Sequence, residues 1–226
     1  MKMDVDAVLA ALRRMGSETD RRRMVRFGIN VDRALGIRVP ALRALAKGLP
    51  RDHGLAAELW ATGVHEARIL ASLVEEPARV TVRQMDAWAG DFDSWDLCDQ
   101  CCANLFWRTA HAHGRSITWA ARRPEFVKRA GFALMASAAV KDRTAQDRRF
   151  LEYLPLIERE ATDPRNFVRK AVSWALRQIG KRDGRLHRAA VAAARRIARI
   201  DDRAARWVAG DALRELTGPR TMGRFA

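Results

Sequence analysis

Apolar residues recur at intervals of three and four along nearly the whole chain, the signature of helices with one buried face. The spacing predicts helices at about 4–15, 18–28, 40–48, 53–61, 64–75, 81–89, 94–112, 116–121, 124–140, 146–160, 164–180, 185–199 and 202–216. Gly, Pro, Asp or Ser punctuates the short connections between them. Strand signals are nearly absent. β-Branched runs are short, there is one tyrosine, and Ala, Leu and Arg, all good helix formers, dominate. Asp183-Gly184 joins two helical segments rather than two strands of a hairpin. The chain reads as all-α.

A faint repeat lies over this pattern. Val127-Lys128-Arg129-Ala130 aligns with Val168-Arg169-Lys170-Ala171, 41 residues later, with Pro124 and Pro164 just ahead of the two segments. His65-Glu66-Ala67-Arg68-Ile69-Leu70-Ala71 resembles a third copy. Two helices per unit and a period near 40 are the mark of HEAT-like (ARM-type) repeats. Such helix pairs stack into a solenoid with a concave face, here expected to be basic. An irregular helical bundle is the alternative. No linker interrupts the pattern, so one repeat domain is expected over 1–217, followed by a loose basic tail over 218–226.

Charge narrows the choice of partner. The 226 residues carry 42 Lys and Arg against 27 Asp and Glu, a formal charge of +15. That excess points first to a polyanion, with nucleic acid ahead of an acidic membrane surface or an RNA-associated assembly. No apolar run approaches the ~20 residues of a membrane span. Met1-Lys2-Met3-Asp4-Val5-Asp6 lacks the apolar stretch of a signal peptide. Cys98, Cys101 and Cys102 are too few and too close for a disulfide framework, and a reducing cytoplasmic compartment is expected.

Three constellations carry candidate chemistry. Asp91, Asp93, Asp96 and Asp99 place four carboxylates in nine residues of a very basic chain. Asp93 or Ser94 can cap the helix that follows, and first-turn carboxylates suit its dipole. Asp99 lies one turn beyond Trp95 and shares its face with Cys102 and Phe106. A carboxylate there is either paired in a salt bridge or part of a site. Arg129 is the second. Between Lys128 and Lys141 it is the only charge on a helix that is apolar nearly all round. It must meet a carboxylate, with Asp96 and Asp99 as candidates, or an incoming phosphate.

The third is Trp174. Val168, Ala171, Val172, Ala175, Leu176 and Ile179 form the core stripe of its helix, and Trp174 lies roughly 130° from the stripe's centre. Its neighbours Lys170, Arg177 and Gln178 suit a surface that stacks on a sugar or base; packing against the next repeat is the alternative. Gly180 fits a helix C-terminus, and Lys181 and Arg182 would form a basic rim. The arginines at 21–26 and 188–206 read as solvated faces that add attraction to a phosphate backbone. No metal site is expected. On one continuous helix Cys98 and His111 would stand roughly 20 Å apart, and the cysteines read as small packing residues. Phosphate-binding Gly-rich loops, Gly-x-Ser-x-Gly and His-Glu-x-x-His are absent from the sequence.

Trp95-Asp96-Leu97-Cys98-Asp99, the Val127–Ala130 segment and Lys170-Ala171-Val172-Ser173-Trp174-Ala175-Leu176-Arg177 resemble, in order, three signature segments of the AlkD-type alkylpurine DNA glycosylases. Leu35-Gly36-Ile37-Arg38-Val39-Pro40-Ala41-Leu42-Arg43 resembles the early segment of that family. The likeness runs from about residue 24 to about residue 182.

The resemblance implies a HEAT-like solenoid that cradles duplex DNA and excises cationic N3- and N7-alkylpurines, without swinging the lesion into a deep pocket. It implies catalytic roles for Trp95, Trp174, Asp99 and Arg129. It further implies a monofunctional hydrolysis of the N-glycosidic bond, without cofactor or metal, by a cytoplasmic, nucleoid-associated monomer. Lys170, Arg177, Lys181, Arg182 and Phe27 are the expected DNA contacts. Phe27 stands where the family has a tyrosine near the lesion, so it can stack but cannot donate a hydrogen bond. Phe126 and Phe132 also depart from the family's aromatics around Arg129. The alternatives are a non-catalytic HEAT-like protein for branched or damaged DNA, and a solenoid scaffold for a protein or RNA partner.

Overall fold

The computed structural model describes residues 4–225. Among them there is no strand. The helices are α1 (Val5–Met15), α2 (Glu18–Val25), α3 (Val39–Lys47), α4 (His53–Ala61), α5 (His65–Val74), α6 (Val82–Gly90), α7 (Trp95–Asn104), α8 (Ala112–Ala120), α9 (Glu125–Lys141), α10 (Asp147–Arg159), α11 (Asn166–Gly180), α12 (Gly184–Ile197), α13 (Arg203–Leu216) and α14 (Pro219–Met222). Single 3₁₀ turns occupy Pro77–Arg79, Phe106–Arg108 and Glu160–Thr162. None of the described helices is long and apolar enough to cross a membrane.

The residues fall into two compact units, Met1–Ala110 and His111–Ala226, where the periodicity alone predicts one domain. In the first unit α5 is the central element, packed by α1, α3, α4 and α7. Leu12, Leu42, Leu55, Leu59, Ile69 and Leu70 fill its core. Trp60 and Trp88 stack at 4.0 Å between ring centroids, and Trp60 donates its indole N–H to Asp91 at 2.8 Å. That bond gives the buried indole the partner it needs.

An irregular segment between α2 and α3 is fixed by a buried carboxylate. Glu66, fully buried on α5, accepts from the backbone N–H groups of Leu35, Gly36 and Ile37 at 2.8, 2.7 and 3.1 Å. Gly36 has φ +79°, and a Cβ there would fall 2.2 Å from the Ser17 carbonyl oxygen. Only glycine can turn the backbone so that three N–H groups face one carboxylate. The Leu35–Arg43 stretch of the sequence therefore has a structural logic of its own.

In the second unit α9 is buried along most of its length, from Arg129 through Ala139, as its apolar character predicts. It packs on α8 and α11. Gly131 permits the α8 approach: a Cβ there would lie 2.5 Å from the backbone nitrogen of Ala120. The two segments related by 41 residues are the opening turns of α9 and α11, and these helices pack directly on each other. Phe132, Phe150, Tyr153, Val172, Leu176 and Leu186 belong to the core beneath them.

Two expectations change. The predicted helix over 94–112 is interrupted: α7 ends at Asn104, Leu105 leaves the helical region at φ −121° and ψ −64°, and a 3₁₀ turn follows. The break lets Phe106 become fully buried, while Thr109 bonds back to the Phe106 carbonyl at 2.9 Å. The helix predicted over 116–121 starts earlier, as α8 (Ala112–Ala120), and Ala121 is its C-cap. The tail expected to be loose instead forms α14, with Thr221 buried and the Phe225 ring 4.8 Å from that of His187; Ala226 lies outside the described residues.

Candidate functional site

The four carboxylates around α7 divide their work. Asp91 holds the Trp60 indole and Arg68. Asp93 accepts from the Asn30 side chain at 3.0 Å. Ser94 occupies the N-cap position, but its hydroxyl makes no capping bond. It accepts instead from the Asn30 backbone N–H at 2.9 Å, tying the segment after α2 to the start of α7. The cap expected of Ser94 is thus replaced by a tertiary contact. Asp96 pairs with His65, buried on α5, at 2.9 Å. Burial works against a charged imidazole there, but the Asp96 hydrogen bond and carboxylate outweigh it, and the His65 pKa is raised.

Trp95 and Asp99 stand one turn apart on α7 and are both half-buried. Cys102 and Phe106, further along the chain, are fully buried. The Trp95 indole N–H donates to the carbonyl of Phe27 at 2.9 Å. Phe27 itself is 64% exposed. Phe27 and Trp95, which the resemblance assigns to one site, are joined through the Phe27 backbone. They border a cavity of about 470 Å³, whose floor includes His65 and Asp96.

In the second unit Arg129 is 6% exposed, and its Nη1 donates to the Phe167 carbonyl at 2.6 Å. Phe167 is in the first turn of α11, and Trp174 follows two turns later on the same helix. The core stripe of α11 is fully buried, while Trp174 is only half-buried. With the amide of Gln178 turned to meet its donors, its oxygen lies 3.3 Å from Trp174 Nε1 and 3.1 Å from Lys181 Nζ. The four expected catalytic residues thus form two pairs, Trp95 with Asp99 in the first unit and Arg129 with Trp174 in the second.

A sequence model of the DNA alkylation repair enzyme family matches residues 8–216. The chain belongs to the DNA alkylation repair enzyme family. It is also similar to a solved structure described as "a new family of proteins related to the HEAT-like repeat DNA glycosylases with affinity for branched DNA structures". That likeness covers 95% of this chain and 96% of the other at 20% identity, with a TM-score of 0.77. It shows the fold: the HEAT-like helical-repeat architecture is common to both. No curated protein matches the sequence.

For this member of the DNA alkylation repair enzyme family, the expected phosphate contacts differ in their surroundings. Lys170 is exposed on α11. Arg177 and Lys181 both bond Glu215 on α13, and Arg177 also lies 3.4 Å from Asp211. Arg182, expected on the rim, is engaged within the fold. Its two terminal nitrogens donate to the carbonyls of Ala139 and Ala145 at 3.1 and 2.8 Å, and its guanidinium lies 4.4 Å from the Phe150 ring centre.

The three cysteines are free and buried, and burial pushes the Cys101 thiol up. Cys98 and His111 are not on one helix, so the distance argument against a shared metal lapses. Among the described residues, no group of three His, Cys, Asp or Glu side chains could hold one. Sequence reasoning missed the His65–Asp96 pair, because the partners are 31 residues apart on different helices.

Proposed function

We propose that this protein is a monofunctional DNA glycosylase that releases cationic N3- or N7-alkylpurines from duplex DNA. The observation that carries the reading is the Trp95–Asp99 face of α7: an aromatic and a carboxylate one turn apart, both half-buried, on a helix whose Leu97, Cys98, Cys101 and Cys102 are buried. Membership in the DNA alkylation repair enzyme family and the charge of +15 support it.

Alkylation places a positive charge on the purine and weakens its bond to the sugar. The C1′–N bond breaks, the base takes the electron pair and leaves neutral, and the sugar develops oxocarbenium character. Water supplies the oxygen that bonds C1′ and loses one proton to solvent. Asp99 stabilises the cationic sugar and orients that water. Trp95 and Trp174 offer ring faces that favour positive charge. Arg129, whose Nη1 donates to the Phe167 carbonyl, holds an adjacent phosphate. Lys170, Arg177, Lys181 and Phe27 are the proposed surrounding DNA contacts. The reaction uses no cofactor.

The test is release of 3-methyladenine or 7-methylguanine from methylated duplex DNA by the wild type and by Asp99→Asn. Release by the wild type alone, with DNA binding kept in the variant, is the expected result. Equal release by both removes Asp99 from the mechanism. Release by neither, with tight binding to branched DNA, favours a second reading. In that reading the chain is a non-catalytic binder of branched or damaged DNA, and the similarity to the family described as having affinity for branched DNA supports it.

A further inference from the structure

Helix α12 carries a row of arginines that the second unit itself does not use. Leu186, Ala190, Ala193 and Ile197 are its fully buried side and share one core with the buried stripe of α11. Arg188 and Arg195 are seven residues, about two turns, apart and lie roughly 180° around the helix from that side. Arg185 flanks them, and Arg199 extends the row into the turn after the helix; all four are exposed. Lys170 is exposed off the buried stripe of α11, so the core lies between it and the row.

The charges nearby are engaged elsewhere. Arg196 pairs with Glu158 of α10 at 2.6 Å, tying the two helices together. Asp183 and Asp202 cap α12 and α13, and Asp201 pairs with Arg206 at 2.7 Å. Helix α12 holds no carboxylate. Among the described residues, none of the four arginines has an ion-pair partner. Arg185 and Arg188 are three residues apart, and Arg195 and Arg199 four, spacings at which like charges repel. An anion from outside relieves that repulsion.

The rest of the surface selects among anions. The other exposed residues between 184 and 199 are Ala192, Ala198 and the paired Arg196. No exposed side chain there is a large apolar group that could enter a membrane, or an aromatic that could stack on an unpaired base or anchor a protein interface. What remains is a straight row of guanidinium forks, suited to phosphate oxygens. From Arg185 to Arg195 it runs roughly 15 Å. Duplex DNA carries a phosphate for about every 1.7 Å of its axis, so it offers more phosphates over that length than the row has arginines.

We propose that the outer face of α12 binds the phosphate backbone of a second DNA duplex, without reading its sequence. That a first duplex lies beside Trp174 and Lys170 rests on the functional reading above; the chemistry of the row rests on α12 alone. With both sides occupied, one chain bridges two separate duplexes and needs no junction between them.

The test mixes two unbranched duplexes carrying different fluorophores and reads energy transfer between them as protein is added. The variant combines Arg188→Gln, Arg195→Gln and Arg199→Gln. All three residues are exposed, so the fold is kept. A control combining Arg13→Gln, Arg14→Gln and Arg143→Gln removes the same charge from other exposed positions. Bridging by the wild type and by the control, weakened tenfold or more in the α12 variant, is the expected result. Affinity for the first duplex should stay within about twofold. The slope of log K against log salt for the second duplex should fall by about 2.7, at about 0.9 for each phosphate. No bridging by the wild type, equal loss in the variant and the control, or bridging only by assemblies of two chains in sedimentation overturns the proposal. Binding to vesicles of phosphatidylserine and phosphatidylcholine that the variant loses, without bridging of DNA, also overturns it and assigns the row to a membrane. Base release measured on the same preparations separates the two readings. Release without bridging sinks only the α12 proposal, and bridging without release sinks only the glycosylase reading.

Discussion

The Trp95 indole N–H is bonded to the carbonyl of Phe27 at 2.9 Å, across 68 residues of sequence. This bond ties the tryptophan ring to the segment that follows α2. Both ends are accessible, so water can replace either partner. Trp95→Phe keeps an aromatic face and removes the donor. It should cost about 1 kcal/mol of stability or less. It should lower the rate of base release about tenfold, because the ring loses its fixed orientation. Chemical denaturation and single-turnover release measure the two separately. A variant that releases base at the wild-type rate would show that the bond orients nothing that matters.

The His65–Asp96 pair makes stability depend on pH in a defined direction. His65 is 5% exposed and its pKa is raised above the ordinary 6.5 in the folded protein. The folded state therefore holds the proton more tightly than the unfolded state. The stabilisation is fully present below about pH 6.5 and is lost as pH rises through the raised value. His65→Gln keeps a donor for Asp96 but does not titrate. Urea midpoints measured from pH 5.5 to 8.5 should converge, with the advantage of the wild type shrinking towards high pH. Parallel curves for the two proteins would mean that the His65 pKa does not change on folding.

How much of this was legible in the sequence varies with the length scale of the cause. Helix α4 matches its predicted span, His53–Ala61, because Asp52 caps it through the Leu55 N–H at 2.9 Å and both signals are local. The half-buried setting of Trp174 follows equally from local periodicity, since the α11 stripe is buried and Trp174 lies off it. The break after Asn104 does not follow, because helix periodicity continues through it. The turn is set by burial of Phe106 and by the Asn104 side chain reaching Ser72 on α5 at 3.2 Å. Tertiary partners also decide the role of Ser94, which local rules assign to a cap and the fold assigns to Asn30. Of the candidate site, residue types and helix faces were readable. The Trp95–Phe27 and Arg129–Phe167 bonds were not, because both go to backbone carbonyls, which no sequence motif marks.

Lys128, beside Arg129, anchors an ion network within the second unit. Its ammonium lies 2.7 Å from Glu160 and 3.2 Å from Asp163, and all three side chains are at most 14% exposed. Burial pushes both carboxyls up, but hydrogen bonds from Lys128 and from Arg159 or Arg165 outweigh it and hold both below their usual range. Lys128→Met leaves the two carboxylates short of a partner in a dry setting, and should cost about 3 kcal/mol near pH 7. Depressed carboxyl pKa values contribute stability that is present above the unfolded value and lost as pH falls. The gap between wild type and variant should therefore narrow below about pH 4. Thermal unfolding at pH 7 and pH 3.5 checks both statements. A gap that stays constant would show that Lys128 acts through packing alone.

Lys170 and Arg182 carry the same charge near α11 but sit in different settings, and salt separates their roles. Lys170 is exposed, so a bound phosphate would release counterions from its ammonium. Lys170→Gln should weaken DNA binding on every sequence alike and reduce the slope of log K against log salt by about 0.9. Stability should stay within about 0.5 kcal/mol of wild type. Arg182 gives its donors to the Ala139 and Ala145 carbonyls and lies over Phe150. Arg182→Gln should therefore cost about 1–2 kcal/mol of stability, through two lost hydrogen bonds and a lost cation–π contact, and leave the salt slope nearly unchanged. Fluorescence anisotropy at several salt concentrations and thermal melts on both variants decide the matter. The reverse pattern, a slope change for Arg182→Gln and a stability loss for Lys170→Gln, would place the phosphate backbone on the other side of α11.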